Sequence, residues 1–358
     1  MLKARNVCRL PPMNMPLNKI AFLYNVRHNY PDPNEKRIQL DTDFDDPATI
    51  EWMIKHFKNL GLEVLPIEAN EEAYLRLCEN REKIDLAFNF AEGLHGRDRE
   101  CHIPAMLEML KIPYTGGSPL TEALVLDKAI AKDVLRSHGV PVLPHQVFLT
   151  GNEELNSELK YPLIVKPNSQ GSSAGITNDS VVEDENGLRR RLKFVISNFK
   201  QKALVEPFLD GREFSVPILG NDPPEVLPII ESDHSTLPPG LRPIDSLDVK
   251  WIIEEASGGA NFICPAKISS DLEEKIKRIC LQAWEVLQLC DFCRVDTRCD
   301  RAGNPYILEI NSPAGLIPPE VSMTSYFPLS ARVAGIDYET LLKRIISAAC
   351  IRYGIEYK

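Results

Sequence analysis

IVKPNSQGSSAGI, residues 164–176, begins as an apolar strand and ends as a loop of small residues. It sets Lys166 at the end of the strand, with Gly171, Ser172, Ser173 and Gly175 following it. Glycines allow close approach to the backbone, and successive N–H groups form a nest for an anion. Many Gly/Ser loops are simple hairpin turns, but a lysine just upstream adds positive charge, so phosphate is the expected guest.

Further along, RVDTR (294–298) and ILEIN (307–311) read as strands carrying Asp296, and Glu309 with Asn311. A period of two puts Glu309 and Asn311 on one face. Two carboxylates and an amide suit magnesium held jointly with nucleotide phosphates. The plainer reading is a charged, exposed strand face. The apolar neighbours oppose it, because a carboxylate on a mostly buried strand needs a partner. Lys128, Lys166 and Lys250 supply charge that offsets a triphosphate, and Glu206 and Glu213 sit on strands where adenine or ribose can be held.

Towards the N-terminus the pattern alternates. IAFLYNV (20–26), LEVLPIE (62–68) and IDLAFNF (84–90) read as strands, separated by helical stretches over 45–61 and about 71–78, with another from about Glu100 to Leu110. Alternation of this kind predicts a parallel sheet with ligands beyond the carboxyl ends of its strands. That places Glu92, Gly93, His95 and Arg97 beside a site; the alternative is a solvated loop.

The chain has 358 residues, 44% of them hydrophobic, enough for several domains. Its net charge of −10 argues against a nucleic-acid partner and favours a small-molecule substrate. Nine irregularly spaced cysteines indicate reduced thiols and a cytoplasmic protein, with Cys290, Cys293 and Cys299 expected to pack in a core rather than bind metal. The Pro-rich residues 1–18 read as a loose tail, and no run approaches the ~20 apolar residues of a membrane helix.

IPYTGGS (112–118), ALVLDKAIAK (123–132), VKPNSQGSSAGI (165–176), LVEPFLDGREFSV (204–216), CRVDTR (293–298) and LEINSPAG (308–315) occur in an order and spacing that resemble D-alanine:D-alanine ligases of the ATP-grasp superfamily. The resemblance runs from Lys19 to the C-terminus. It implies an α/β fold: an N-terminal Rossmann-like parallel-sheet domain (19–120), then central (121–212) and C-terminal (213–358) ATP-grasp subdomains of α+β type with ATP between them. The implied reaction is ADP-forming ligation of a carboxylate to an amine through an acyl phosphate. By motif, Lys128 and Lys166 contact ATP, Ser172 and Ser173 belong to the loop over the phosphates, Glu206, Phe208 and Leu209 line the adenine pocket, and Glu213 holds ribose. Lys250 reaches the phosphates from a mobile loop; Asp296, Glu309 and Asn311 hold two magnesium ions, with manganese a substitute. Arg294 stabilises the transferring phosphoryl group, and the family implies a homodimer formed through the N-terminal domain.

The departures fall on the substrate side. The family carries a glutamate after a Gly-rich first loop; here that loop reads YNVRHNYPDPNE (24–35). Glu92 falls near the place of the family's loop histidine, Trp251 replaces a tyrosine, and in SPAGLIPPE (312–320) Glu320 stands near an expected serine. Glu92, Arg294, Gly315 and Glu320 are therefore the candidate substrate residues. An acidic group where a carboxylate should dock repels it unless it is protonated or turned away, so substrates other than two D-alanines enter. Two other readings share the fold: an ATP-binding regulatory module without turnover, and a phosphotransferase or carboxylase.

Overall fold

The computed structural model describes residues 16–28, 44–246, 249 and 261–357. The tail over 1–15, most of the first loop, and Lys250 with Trp251 lie outside the described residues.

β1 (Lys19–Tyr24), α1 (Pro47–Asn59), β2 (Glu63–Glu68), α2 (Ala73–Asn80), β3 (Leu86–Phe90) and α3 (His102–Leu110) alternate along the chain. The strands form a parallel sheet, as the pattern predicts, and the structure sets its order as β2-β1-β3. Successive residues of β1 serve opposite faces. Ile20 and Phe22 pack with Met53 and Phe57 of α1, whereas Ala21 and Leu23 pack with Leu77 of α2 and Leu107 of α3. Asp46 starts α1 by accepting the Ala48 N–H at 3.0 Å, with Pro47 in the first turn where a missing N–H costs nothing.

α4 (Pro119–Leu126) and α5 (Lys128–Ser137) lead into an antiparallel sheet of β4 (Gln146–Phe148), β5 (Leu163–Pro167), β6 (Val181–Val182) and β7 (Ala203–Pro207), with α6 (Glu185–Phe199) packed on it. Its order is β4-β7-β5-β6. The second antiparallel sheet contains β8 (Glu213–Leu219), β9 (Glu225–Val226), β10 (Ile230–Ser232), β11 (Phe262–Ile263), β12 (Phe292–Cys299) and β13 (Pro305–Asn311). The order is β11-β10-β8-β12-β13, with β9 on β8. The long helix α7 (Ser270–Val286) packs on this sheet, and α8 (Tyr326–Val333) and α9 (Tyr338–Tyr353) close the chain.

Two packing facts position the site. Val125 and Leu135 of α4 and α5 share a core with Ile276 and Trp284 of α7, so these helices are anchored to the second antiparallel sheet. Phe327 of α8 and Leu341, Leu342 and Ile345 of α9 complete the core on the α1 face of the parallel sheet. The segment after β3 and the end of β13 meet at a cavity that Glu92, Glu100 and Asn311 line. Cys293 and Cys299 are buried and Cys290 partly so; burial pushes the Cys290 and Cys299 thiols up to about 11, which keeps them protonated. Among the described residues no helix is long and apolar enough to cross a membrane.

Candidate active site

The two antiparallel sheets face each other across a cleft of about 720 Å³, measured out to open solvent. Ile164 and Lys166 of β5 and Glu206 to Leu209 form one wall; Glu213 and Ser215 of β8, Asp296 and Arg298 of β12 and Glu309 of β13 form the other. A second cavity of about 450 Å³ is lined by Glu92 and Glu100 from the segment after β3, Lys128, Gly171, Ser172 and Asn311 to Pro313. Glu309 lines both.

A buried charge cluster forms part of the larger cleft. Glu206 is fully buried, with Lys132 Nζ 2.8 Å from one carboxylate oxygen and Lys166 Nζ 2.8 Å from the other. Burial alone raises a carboxyl pKa, but the two ammonium groups overcome it and hold Glu206 down at about 2. Burial draws Lys132 to about 8 although Glu206 opposes the change. Lys166 moves the other way: burial is outweighed by Glu206 and Glu309, so it stays charged.

At the junction of the cavities, β12 and β13 pair Asp296 with Glu309 and Arg294 with Asn311. Arg294 forks Asp296 through Nε at 2.9 Å and Nη2 at 2.8 Å. Ser215 Oγ donates to Asp296 at 2.6 Å and Asn311 Nδ2 at 3.0 Å. Burial disfavours the charge on Arg294, and Asp296 more than restores it. Asp127 caps α5 by accepting the Ile130 N–H at 3.1 Å. Lys128 therefore begins the helix, with Nζ 2.6 Å from the Gln170 carbonyl and 3.4 Å from Glu309.

The small-residue loop is clamped in an uncommon conformation. Ser172 and Ser173 have φ of +48° and +58°, left-handed values that cost side-chain-bearing residues energy unless neighbours hold them. Ser173 Oγ donates to the Asp245 carbonyl at 2.7 Å, and Arg191 donates to the Gly175 carbonyl. Ser172 opens on the smaller cavity and Ser173 on the larger. Deeper in the cleft, Arg298 pairs with Glu213 at 2.8 Å and lies 5.2 Å over the Phe208 ring, giving an apolar slot beside a fixed carboxylate.

A family model described as the C-terminus of D-ala D-ala ligase matches residues 134–347, which include the whole of β12 and β13. The chain belongs to the D-alanine–D-alanine ligase family. It is 34% identical over 284 residues to the D-alanine–D-alanine ligase of Pelotomaculum thermopropionicum, covering 76% of this chain and 83% of that one. Identity is 38% over 268 residues with the uncharacterized protein y4sG of Sinorhizobium fredii, covering 75% of each chain. The crystal structure of the Bacillus anthracis D-alanine–D-alanine ligase complexed with ATP superposes with a TM-score of 0.69 at 25% identity, over 94% of this chain and 98% of that one. This ATP-grasp ligase is thus an enzyme that forms C–N bonds driven by ATP.

In the ligase fold, Lys128, Lys166, Ser172, Ser173, Glu206, Phe208, Leu209, Glu213, Asp296, Glu309 and Asn311 all line one cavity or the other, and Glu92 lines the smaller. Arg294 reaches the site through Asp296. Among the described residues, Gly315 and Glu320 line neither cavity; the Glu320 carboxylate lies 3.3 Å from Nε2 of His56. Sequence reasoning passed over Lys132, although its spacing of four from Lys128 marks the same face of α5. It also passed over Asn25, whose side-chain oxygen accepts the N–H groups of Glu92 at 3.0 Å and Gly93 at 2.9 Å and so shapes the loop.

Glu122 lies fully buried behind the smaller cavity, accepting from the Gly117 N–H at 2.8 Å and Ser312 Oγ at 3.0 Å. Burial, with Glu100 nearby, raises its pKa well above the ordinary carboxyl range. In the unfolded chain it titrates at about 4.3. Above that pH the unfolded state loses a proton that the folded state keeps, so Glu122 lowers stability as pH rises towards its folded pKa. Glu122→Gln is expected to melt at or above the parent temperature at pH 8, with the advantage gone at pH 4. Melting curves at both values check this; a variant less stable at pH 8 than at pH 4, relative to the parent, contradicts it.

Proposed function

We propose that the chain transfers the γ-phosphoryl group of ATP to a small carboxylic acid and then joins the acyl group to an amine. A carboxylate oxygen bonds to the γ-phosphorus as its bond to ADP breaks. The amine nitrogen then attacks the acyl carbon, the bond to the phosphate oxygen breaks, and inorganic phosphate leaves while the nitrogen gives up a proton.

The observation that carries this reading is the position of Glu309 in both cavities, beside Lys128 and opposite Asp296. Nucleotide in the larger cleft and acid in the smaller one meet there. Phe208 and Leu209 hold adenine in an apolar slot, Glu213 accepts from ribose, and Lys128, Lys166 and the Ser172–Ser173 loop receive the phosphates. Lys250 completes this set by resemblance. Asp296, Glu309 and Asn311 form an oxygen-only donor set of the kind magnesium takes, two ions by resemblance, with manganese a substitute. Bound there, the metal supplies neutralisation of phosphate charge. Arg294, fixed by its fork on Asp296, stabilises the charge developing on the transferred group. Holding both partners in register supplies much of the remaining acceleration.

Amino acids or similar small acids and amines are the substrate class, D-alanine among them, with Glu92, Gly315 and Glu320 in the region that selects between them. A homodimer through the N-terminal domain is the assembly this reading adopts. The test is incubation with ATP, magnesium and paired amino acids, read by phosphate release and product mass. Release that requires both substrates, with a condensed product, is expected. No release across a broad panel overturns the proposal, and a stable phosphorylated product converts it to a phosphotransferase.

A further inference from the structure

Lys132 has no place in the chemistry above, yet it is 2% exposed and carries a charge beneath the nucleotide cleft. Among the described residues it lines neither cavity. Its Nζ lies 2.8 Å from Glu206 and donates to the Ile307 carbonyl at 3.1 Å. Ile307 precedes Glu309 by two residues on β13, so Lys132 ties the end of β7 to the strand that carries Glu309 and Asn311.

We infer that Lys132 is a positioning residue for ATP: by neutralising Glu206 from below, it leaves the charge of Lys166 available to the phosphates. Lys132 and Lys166 flank one carboxylate, so the trio carries one net positive charge; Lys166 and Glu206 line the cleft and Lys132 does not, so Lys166 is the trio's cation that faces it. In a low-dielectric surrounding that net charge acts on a nearby phosphate far more strongly than in water. Remove Lys132, and among the described residues Lys166 is left as the ion-pair partner of Glu206. The remaining pair is then neutral, and the cleft loses the share of its attraction for a triphosphate that Lys166 supplies, while the apolar slot at Phe208 is untouched. The inference rests on the reading that Lys166 receives phosphate.

The test is titration of the full-length protein with ATP and with adenosine by calorimetry, scored as the ratio of the two affinities. Lys132→Met is expected to lower that ratio tenfold or more, and Lys132→Arg to restore most of it. The double variant Lys132→Met with Glu206→Gln is decisive, because it returns the net charge to one and buries no unpaired carboxylate. Its ratio is expected to recover towards the parent value. A purely structural lysine predicts no recovery, and a double variant as weak for ATP as the single one overturns the inference; should the single variant fail to fold, the double one still decides it. Lys166→Met separates the two claims. If it leaves ATP binding unchanged, the assignment of Lys166 to phosphate fails; if it weakens ATP while Lys132→Met does not, only the inference fails.

Discussion

Glu309→Gln is expected to lower kcat about 10³-fold, the scale on which a single preorganised charge acts in such sites. The replacement keeps the shape of the side chain and removes its charge. Glu309 is the group shared by both cavities, and it faces Asp296 across β12 and β13. An amide there binds magnesium more weakly than a carboxylate, so the magnesium concentration needed for half-maximal rate should rise as well. The fold should survive, because the Glu309 side chain is 26% exposed and Lys128 keeps its bond to the Gln170 carbonyl. Steady-state rates over a magnesium titration, with a melting curve for the variant, separate these effects. Unchanged turnover in a folded Glu309→Gln protein removes Glu309 from the metal set.

Gly93→Ala should cost about 3–5 kcal/mol of stability, in the range reserved for strain and overpacking together. Gly93 has φ of +75°, and a Cβ there would stand 2.3 Å from the Arg99 carbonyl oxygen. Neither side can yield easily. Asn25 holds the Gly93 N–H, and Arg99 in turn donates to the Ser169 carbonyl at 3.0 Å. Displacement would move Glu92 and Glu100, which line the smaller cavity. Gly61→Ala is the control: φ is +80°, but nothing lies within 4 Å of the added Cβ, and about 1 kcal/mol is expected. Denaturant midpoints of the two variants measure the difference, and equal losses would show that the close approach to Arg99 contributes nothing.

Much of the site was legible because its signals are local. The apolar run before Lys166, the small residues after it and the alternation of Glu309 with Asn311 each follow from the period of a strand or the tolerance of a turn. The parallel character of the first sheet was legible for the same reason, since strand and helix periods alternate over 19–110. Lys132 was legible in principle, being one helical turn from Lys128, but a lysine on a helix is ordinarily solvated. Only the fold shows that α5 turns this face towards Glu206.

The sequence by itself determined the parallel first sheet, the family and most of the residues that line the two cavities, because these rest on periodicity and on motifs held within a few residues. Tertiary structure alone decided which charges share a partner. Glu206 lies 74 residues from Lys132 and 40 from Lys166, yet it takes one ammonium on each oxygen. It likewise turned Glu320 onto His56, 264 residues away, and placed Glu309 between two cavities. Coulomb energy depends on distance in space and on the surrounding dielectric, and both are set only when the sheets close on one another.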